Sequence, residues 1–286
     1  MSSGMSGRDV HSRAAHSPDL TVTYGPLPDH VADVWLPVGD DARPRTAMLL
    51  VMHGGFWRAE YDRRHARPQC AALAAAGYVV VSIEYRRVGA GGGWPATFDD
   101  VALAVDTVPG QVGAAARRSG RPAGSAPPRA VLVGHSAGGH LAVWAASRHR
   151  LPAGSPWRLP APAPAVAGVV SLAGVLDLTT AAELDLDDGA ARTLIGGGPV
   201  DQPERYAVAD PLRLTPVGVP TVLVHGTADR QVPHAFSRRY ATAAGPRTRL
   251  VELPGVEHFA LIDPASAAWP AVLTAVAHLV DGGRAD

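Results

Sequence analysis

Three side chains far apart in this sequence have the types and setting for nucleophilic chemistry: Ser136, Asp229 and His258. A serine hydroxyl at its ordinary pKa attacks poorly, so it needs a base within hydrogen-bond reach and a carboxylate that orients the base. Ser136 stands in Gly134-His135-Ser136-Ala137-Gly138, after the apolar run 130–133 and at the start of a helical pattern. A G-x-S-x-G turn between strand and helix exposes the serine Oγ, and its glycines let the two elements approach without a Cβ clash. The Ala137 N–H opens the helix, where it can donate to a developing oxyanion.

A second signal is His53-Gly54-Gly55-Phe56-Trp57, which ends the apolar run 47–52. A tetrahedral intermediate needs two or three donors converging on one oxygen, and a glycine-rich bend after a strand can turn successive amides inward. Gly55 and Phe56 N–H are the expected donors beside that of Ala137. Asp229 follows the run 221–224 and His258 follows the run 250–253, so each falls on a loop beyond a predicted strand end. The chain order Ser, Asp, His is one of the known arrangements of such a triad.

Other candidates carry blander readings. Asp177 is an alternative acid, but its setting suits a helix or loop cap. His225 is expected beneath the acid loop and His234 at a helix start. His135 and His140 flank the serine without a carboxylate or thiol cluster at ligand spacing, so no metal site is expected. Asp185, Asp187 and Asp188 lack the loop pattern of a calcium site and read as a solvated face. Glu84 to Arg87 follow a strand end, where holding a loop is the expected role. The glycine run 89–93 has no P-loop lysine. Phe259 is expected to line a substrate pocket, and Trp57 and Trp94 either to line it or to pack in the core.

The elements that must position these residues alternate. Apolar runs at 32–36, 47–52, 78–84, 130–133, 166–172, 221–224 and 250–253 read as strands, most of them continuous in Val, Leu and Ile as for parallel strands covered on both faces. Helical patterns occupy 63–76, 98–107, 137–148, 233–243 and 265–280, the second broken at Pro109 and Gly110. Thr97 and Asp100 resemble a capping box with Asp in place of Glu. The alternation predicts an α/β fold with a mainly parallel sheet and helices on both faces. Residues 1–20 lack any period and read as a disordered tail, with a single domain from 21 to 286. Segments 119–128 and 151–165 read as surface loops, and 179–210 as a short lid.

Composition limits the partners. The 286 residues are 47% hydrophobic and 18% charged, with 26 basic residues, all arginine, balanced by 26 acidic ones. No excess field exists to attract nucleic acid or an anionic membrane. One cysteine, Cys70, excludes an internal disulfide and fits a reducing compartment. With no signal-like or spanning apolar stretch, a cytoplasmic location is expected.

On these residues the chain resembles an α/β-hydrolase of the esterase and lipase kind over 31–280. HGGFW is similar to the HGG-aromatic-W motif of kynurenine formamidases and of small esterases related to feruloyl and acetylxylan esterases. The resemblance implies the α/β-hydrolase fold, Ser136, Asp229 and His258 as triad, and Gly55, Phe56 and Ala137 as oxyanion donors. It departs from hormone-sensitive-lipase relatives, which carry a third glycine where this chain has Phe56. The implied activity is serine carboxylic ester hydrolysis of small esters through an acyl-enzyme, without a cofactor, by a monomer or homodimer. An arylformamidase acting on N-formylkynurenine is the alternative substrate reading. A non-catalytic ligand-binding protein on the same fold is the alternative of another class.

Overall fold

The computed structural model of the chain describes residues 10, 13–37, 47–118, 129–161 and 166–280. The expected loop 119–128 and the end of the loop 151–165 lie outside the described residues, as does most of the expected tail. Eight strands form one sheet: β1 (Leu20–Thr23), β2 (Val31–Trp35), β3 (Ala47–Met52), β4 (Val79–Ile83), β5 (Arg129–His135), β6 (Val166–Leu172), β7 (Thr221–Gly226) and β8 (Thr248–Leu253). Their order is β1-β2-β4-β3-β5-β6-β7-β8, with β2 antiparallel to β1 and β4 and all later neighbours parallel. The strand and helix alternation anticipates this mainly parallel sheet, and the family resemblance implies the α/β-hydrolase fold that it forms. The short β1 has only two apolar positions, Leu20 and Val22, which is too little pattern to be read from the sequence.

The central strand β3 shows why the buried runs have no polar alternation. Met48, Leu50 and Met52 pack into the core on one face, and Leu49 and Val51 into the core on the other. A strand covered on both faces needs apolar residues at every position. The helices that cover the sheet are α1 (Arg67–Ala75), α2 (Ala96–Arg118), α3 (Ala137–Ala146), α4 (Leu178–Glu183), α5 (Leu186–Ile195), α6 (Pro203–Ala209), α7 (Ala235–Ala244) and α8 (Trp269–Val280). Helices α2 and α3 supply one core, α1 and α8 the other.

Helix α2 differs from its expected form, because it runs unbroken through Pro109 and Gly110. Proline removes one ladder hydrogen bond, but Val101, Ala104, Val105, Val108 and Val112 form a buried stripe at helical spacing. Tertiary packing on both sides of the proline outweighs the local defect. The capping-box reading of Thr97 and Asp100 is also corrected. Thr97 lies inside α2, and its Oγ1 donates to the Arg86 carbonyl at 2.6 Å. Asp100 accepts from Arg86 N at 2.8 Å, Arg86 Nη2 at 2.7 Å and His30 Nε2 at 2.9 Å. Both residues therefore fasten the loop after β4 to the helix.

Part of the expected tail is packed. Val10 is buried, Arg13 pairs with Asp263 at 2.6 Å, and the His16 carbonyl accepts from Trp35 Nε1 at 3.0 Å. Segment 179–210, expected as a lid, consists of α4 to α6 pinned to the body. Trp144 Nε1 donates to the Val208 carbonyl and His140 Nε2 to the Ala209 carbonyl, each at 2.9 Å. Among the described residues no helix is long and apolar enough to cross a membrane.

Asp100 is 1% exposed and holds two segments through charge-assisted bonds. Replacing it with Ala strands the Arg86 guanidinium and the His30 ring, and a loss of about 3 kcal/mol is expected. Urea denaturation checks this as a lowered midpoint at an unchanged slope.

Candidate active site

The turn after β5 is strained and tightly packed. Ser136 adopts φ 55° and ψ −118°, outside every favoured region for a residue with a side chain, at a cost of about 1–3 kcal/mol. Its N–H donates to the Leu172 carbonyl at 2.9 Å, and its carbonyl accepts from His140 N at 3.1 Å. A Cβ at Gly134 would lie 2.1 Å from the Gly138 carbonyl oxygen. One at Gly138 would lie 2.0 Å from the Met52 carbonyl oxygen, at the end of β3. The glycines thus let α3 start directly against two neighbouring strand ends. Ala137 is the first helical residue, so its N–H has no intrahelical acceptor and points with the positive helix end.

The loop after β3 approaches from the other side. Gly55 has φ 103°, and Phe56 and Trp57 follow at φ 47° and 59°. Its anchor is His53, which is stacked on Tyr85 with ring centroids 4.4 Å apart. His53 Nε2 donates to Glu84 Oε1 at 3.0 Å, and Tyr85 Oη donates to the His53 carbonyl at 2.9 Å. Glu84 also accepts from Arg63 N at 3.0 Å, tying in the turn that leads into α1. Burial opposes ionisation of Glu84, but the His53 hydrogen bond and charge, the Arg63 amide and Arg87 outweigh it and hold the carboxyl at about 2. Glu84 and Tyr85 hold this loop through His53, and Arg87 holds its far end through the Tyr61 carbonyl at 3.0 Å, as their place after a strand end suggests, while Arg86 holds α2 through Asp100.

The acid and the histidine meet beyond β7 and β8. His258 Nδ1 donates to Asp229 Oδ2 at 2.6 Å. Asp229 Oδ1 accepts from Gln231 N at 2.8 Å and Val232 N at 2.9 Å, and His225 Nε2 lies 3.2 Å from Oδ2. Burial would raise this carboxyl, yet the His225 and His258 hydrogen bonds, the His258 charge and the Val232 amide hold it well below the ordinary carboxylate range. His225 is thus a direct support of the acid, and Ser237 Oγ fixes its far nitrogen at 2.7 Å. His135 Nε2 donates to the His258 carbonyl at 3.1 Å, linking the serine turn to the histidine loop.

Ser136 and His258 line one small cavity of about 90 Å³ together with Gly54, Gly55, Phe56, His135 and Phe259. Tyr61, His65, Gln69, Gln231 and Ile262 also line it. None of these five was singled out in the sequence, because four follow from how α1, the segment 61–66 that leads into it and the histidine loop face the serine. Gln231 alone carried a signal, two residues after the acid.

The pocket readings of Trp57 and Trp94 are corrected in favour of the core. Trp57 is 1% exposed and packs edge-on to His140 at 5.2 Å, because the consecutive left-handed residues 56 and 57 turn it into the core. Trp94 packs with Phe98 and Trp157, under the guanidinium of Arg205. Neither lines the cavity. Asp177 caps α4 by accepting from Thr180 N at 2.9 Å and pairs with Arg239. Asp187 reaches the cavity mouth and is held by Arg58 at 2.9 Å. Among the described residues no cluster of His, Cys, Asp and Glu could hold a metal ion. Burial pulls His140 down to about 4, so its ring stays neutral beneath Trp57.

A profile of the BD-FAE family matches residues 32–243, well over half of the chain. The chain belongs to the BD-FAE family. The match spans the serine turn, the HGG loop and the acid, and ends before the histidine loop. Esterase LipQ of Mycobacterium tuberculosis is 30% identical over 257 residues, which cover 86% of this BD-FAE chain and 57% of LipQ. Esterase LipC of the same organism is 28% identical, covering 89% of the chain and 62% of LipC. The chain therefore spans about three-fifths of these curated relatives. A truncated carbohydrate esterase from gut microbiota shares the fold with a TM-score of 0.72 at 21% identity, covering 93% of this chain and 100% of that one. Propionate-bound esterase 2 of Thermogutta terrifontis has a TM-score of 0.65 at 23% identity, covering 93% and 96%.

In this BD-FAE member Glu84 gives stability a defined pH dependence. Its folded-state pKa is depressed, so its contribution is full above the unfolded value of 4.5 and is lost as pH falls toward about 2. That contribution is about 3 kcal/mol. Glu84→Gln is expected to flatten the stability profile between those two values, which urea titrations at graded pH measure directly.

Proposed function

We propose that this chain is a serine carboxylic ester hydrolase that works on small esters through an acyl-enzyme. Ser136 is the nucleophile, His258 the general base and Asp229 the orienting acid, with Gly55, Phe56 and Ala137 N–H as oxyanion donors. The observation that carries the reading is the 2.6 Å bond from His258 Nδ1 to the fully buried side chain of Asp229, with Ser136 in a strained turn on the same cavity. That bond fixes the tautomer in which Nε2 is the free basic nitrogen. The esterase names of LipQ and LipC support the same reading.

The steps follow from the groups present. His258 Nε2 takes the Ser136 proton as Oγ attacks the ester carbonyl, and the Asp229 carboxylate stabilises the imidazolium that forms. The carbonyl oxygen gains charge and meets the three amides, which need no reorganisation because helix start and loop are already fixed. His258 passes its proton to the leaving alkoxide. Water then attacks the acyl-enzyme with His258 again as base, which regenerates Ser136 and frees the acid.

Cavity size favours small acyl groups. Pockets that enclose drug-sized ligands measure roughly 300–1,000 Å³, whereas this one offers about 90 Å³. A short acyl chain fits inside, and the alcohol part extends outward.

Ser136→Ala is expected to lower kcat on p-nitrophenyl acetate by ~10⁶-fold, and undiminished turnover overturns the assignment. Asp229→Asn is expected to lower kcat by ~10⁴-fold by presenting the wrong tautomer. Wild-type kcat/KM is expected to fall steeply from acetyl and butyryl to decanoyl esters in a chain-length series.

A further inference from the structure

The inner wall of the cavity carries a polar group with no structural task. Gln69 lines the cavity, is 3% exposed, and its Nε2 has no hydrogen-bond partner among the described residues. A buried amide left unpaired costs as much as a broken hydrogen bond, so such atoms call for an explanation. Other orphaned buried atoms among the described residues, such as Trp57 Nε1, Ser171 Oγ and Tyr240 Oη, belong to residues that do not line the cavity.

Gln69 is also firmly placed. It sits in the first turn of α1, one turn beyond His65, and the preceding turn is clamped by Asp62 accepting from Arg64 N at 2.9 Å and by Glu84 accepting from Arg63 N. Phe259 and Ile262 line the same cavity and give it apolar surface. A short chain lying along these apolar side chains meets the Gln69 side chain, whose unpaired Nε2 is closed off as it stands and can donate once the amide turns toward the cavity.

Resting on the ester-hydrolase reading, we infer that Gln69 is a specificity-determining residue that selects acyl groups bearing a hydrogen-bond acceptor, an ether or keto oxygen, over plain alkyl chains of equal length. The acceptor supplies the partner that Nε2 lacks, and an alkyl chain leaves the donor buried and unpaired in the acyl-enzyme. Discrimination of this kind exceeds what pocket size alone achieves, because it costs the wrong substrate a hydrogen bond rather than a contact.

The test compares p-nitrophenyl methoxyacetate with p-nitrophenyl butyrate, and p-nitrophenyl 3-methoxypropionate with the pentanoate. Each kcat/KM ratio is divided by the ratio of the hydroxide-catalysed rates, which removes intrinsic reactivity. Wild type is expected to favour at least one ether ester by about tenfold after this correction. Gln69→Met, close in length and without donors, is expected to erase the preference, read as the corrected ratio of ether to alkyl ester kcat/KM within the variant and independent of its absolute turnover. A wild-type ratio that follows hydroxide reactivity in both pairs overturns the inference and leaves ester hydrolysis standing, and this arm needs no variant to fold. A preference that persists in Gln69→Met overturns the assignment to Gln69. Turnover of all four esters no faster than by Ser136→Ala overturns the ester-hydrolase reading itself, and the inference with it.

Discussion

The close approach of the start of α3 to the end of β3 is the constraint on which the site depends. Gly138 lies so near the Met52 and His53 carbonyls that no side chain could stand between them. That contact sets how far the serine turn stands from the HGG loop, and Gly54 completes it by facing the His135 carbonyl oxygen, where a Cβ would approach to 3.0 Å. The strain held at Ser136 persists because helix, strand and loop all hold the residue at once. A looser junction would let the turn relax, and the Ser136 side chain would lose its fixed place on the cavity.

Two carboxylate and histidine couples flank this junction. Asp229 with His258 and His225 stands on one side, and Glu84 with His53 on the other. Both carboxylates are buried, both are held ionised by imidazole and backbone N–H groups, and both lie just past strand ends. Their tasks differ. The first couple holds the His258 ring on the cavity wall, whereas the second holds a loop of three left-handed residues. A buried carboxylate suits both purposes, since its partners cannot leave without exposing an unpaired charge.

Cavity shape follows from what packs behind Ser136 and His258. Trp57 turns inward against His140, and this core packing keeps the large indole out of the pocket. Phe259 lines it from the histidine loop, while the turn 63–66 and the first turn of α1 bring His65 and Gln69 to the wall. The result is a small, partly polar chamber beside the serine. Segments α4 to α6 touch it only through Asp187, held by Arg58 from the HGG loop.

By itself, the sequence determined whatever depends on neighbours along the chain. Apolar runs marked seven of the eight strands, most of them because strands buried on both faces leave no polar alternation. The serine turn and HGG loop were legible because their glycines are needed at fixed offsets from the strands that precede them. Asp229 and His258 were legible by order and by position after strands. Tertiary structure alone decided what depends on packing between distant segments. It carried α2 through Pro109, since a buried valine stripe outweighs one missing hydrogen bond, and it sent Trp57 into the core through two left-handed residues. It also set His225 against the acid and Gln69 against the serine cavity. No local pattern encodes such meetings, because they are fixed by the order of strands in the sheet and by which helix face that order turns inward.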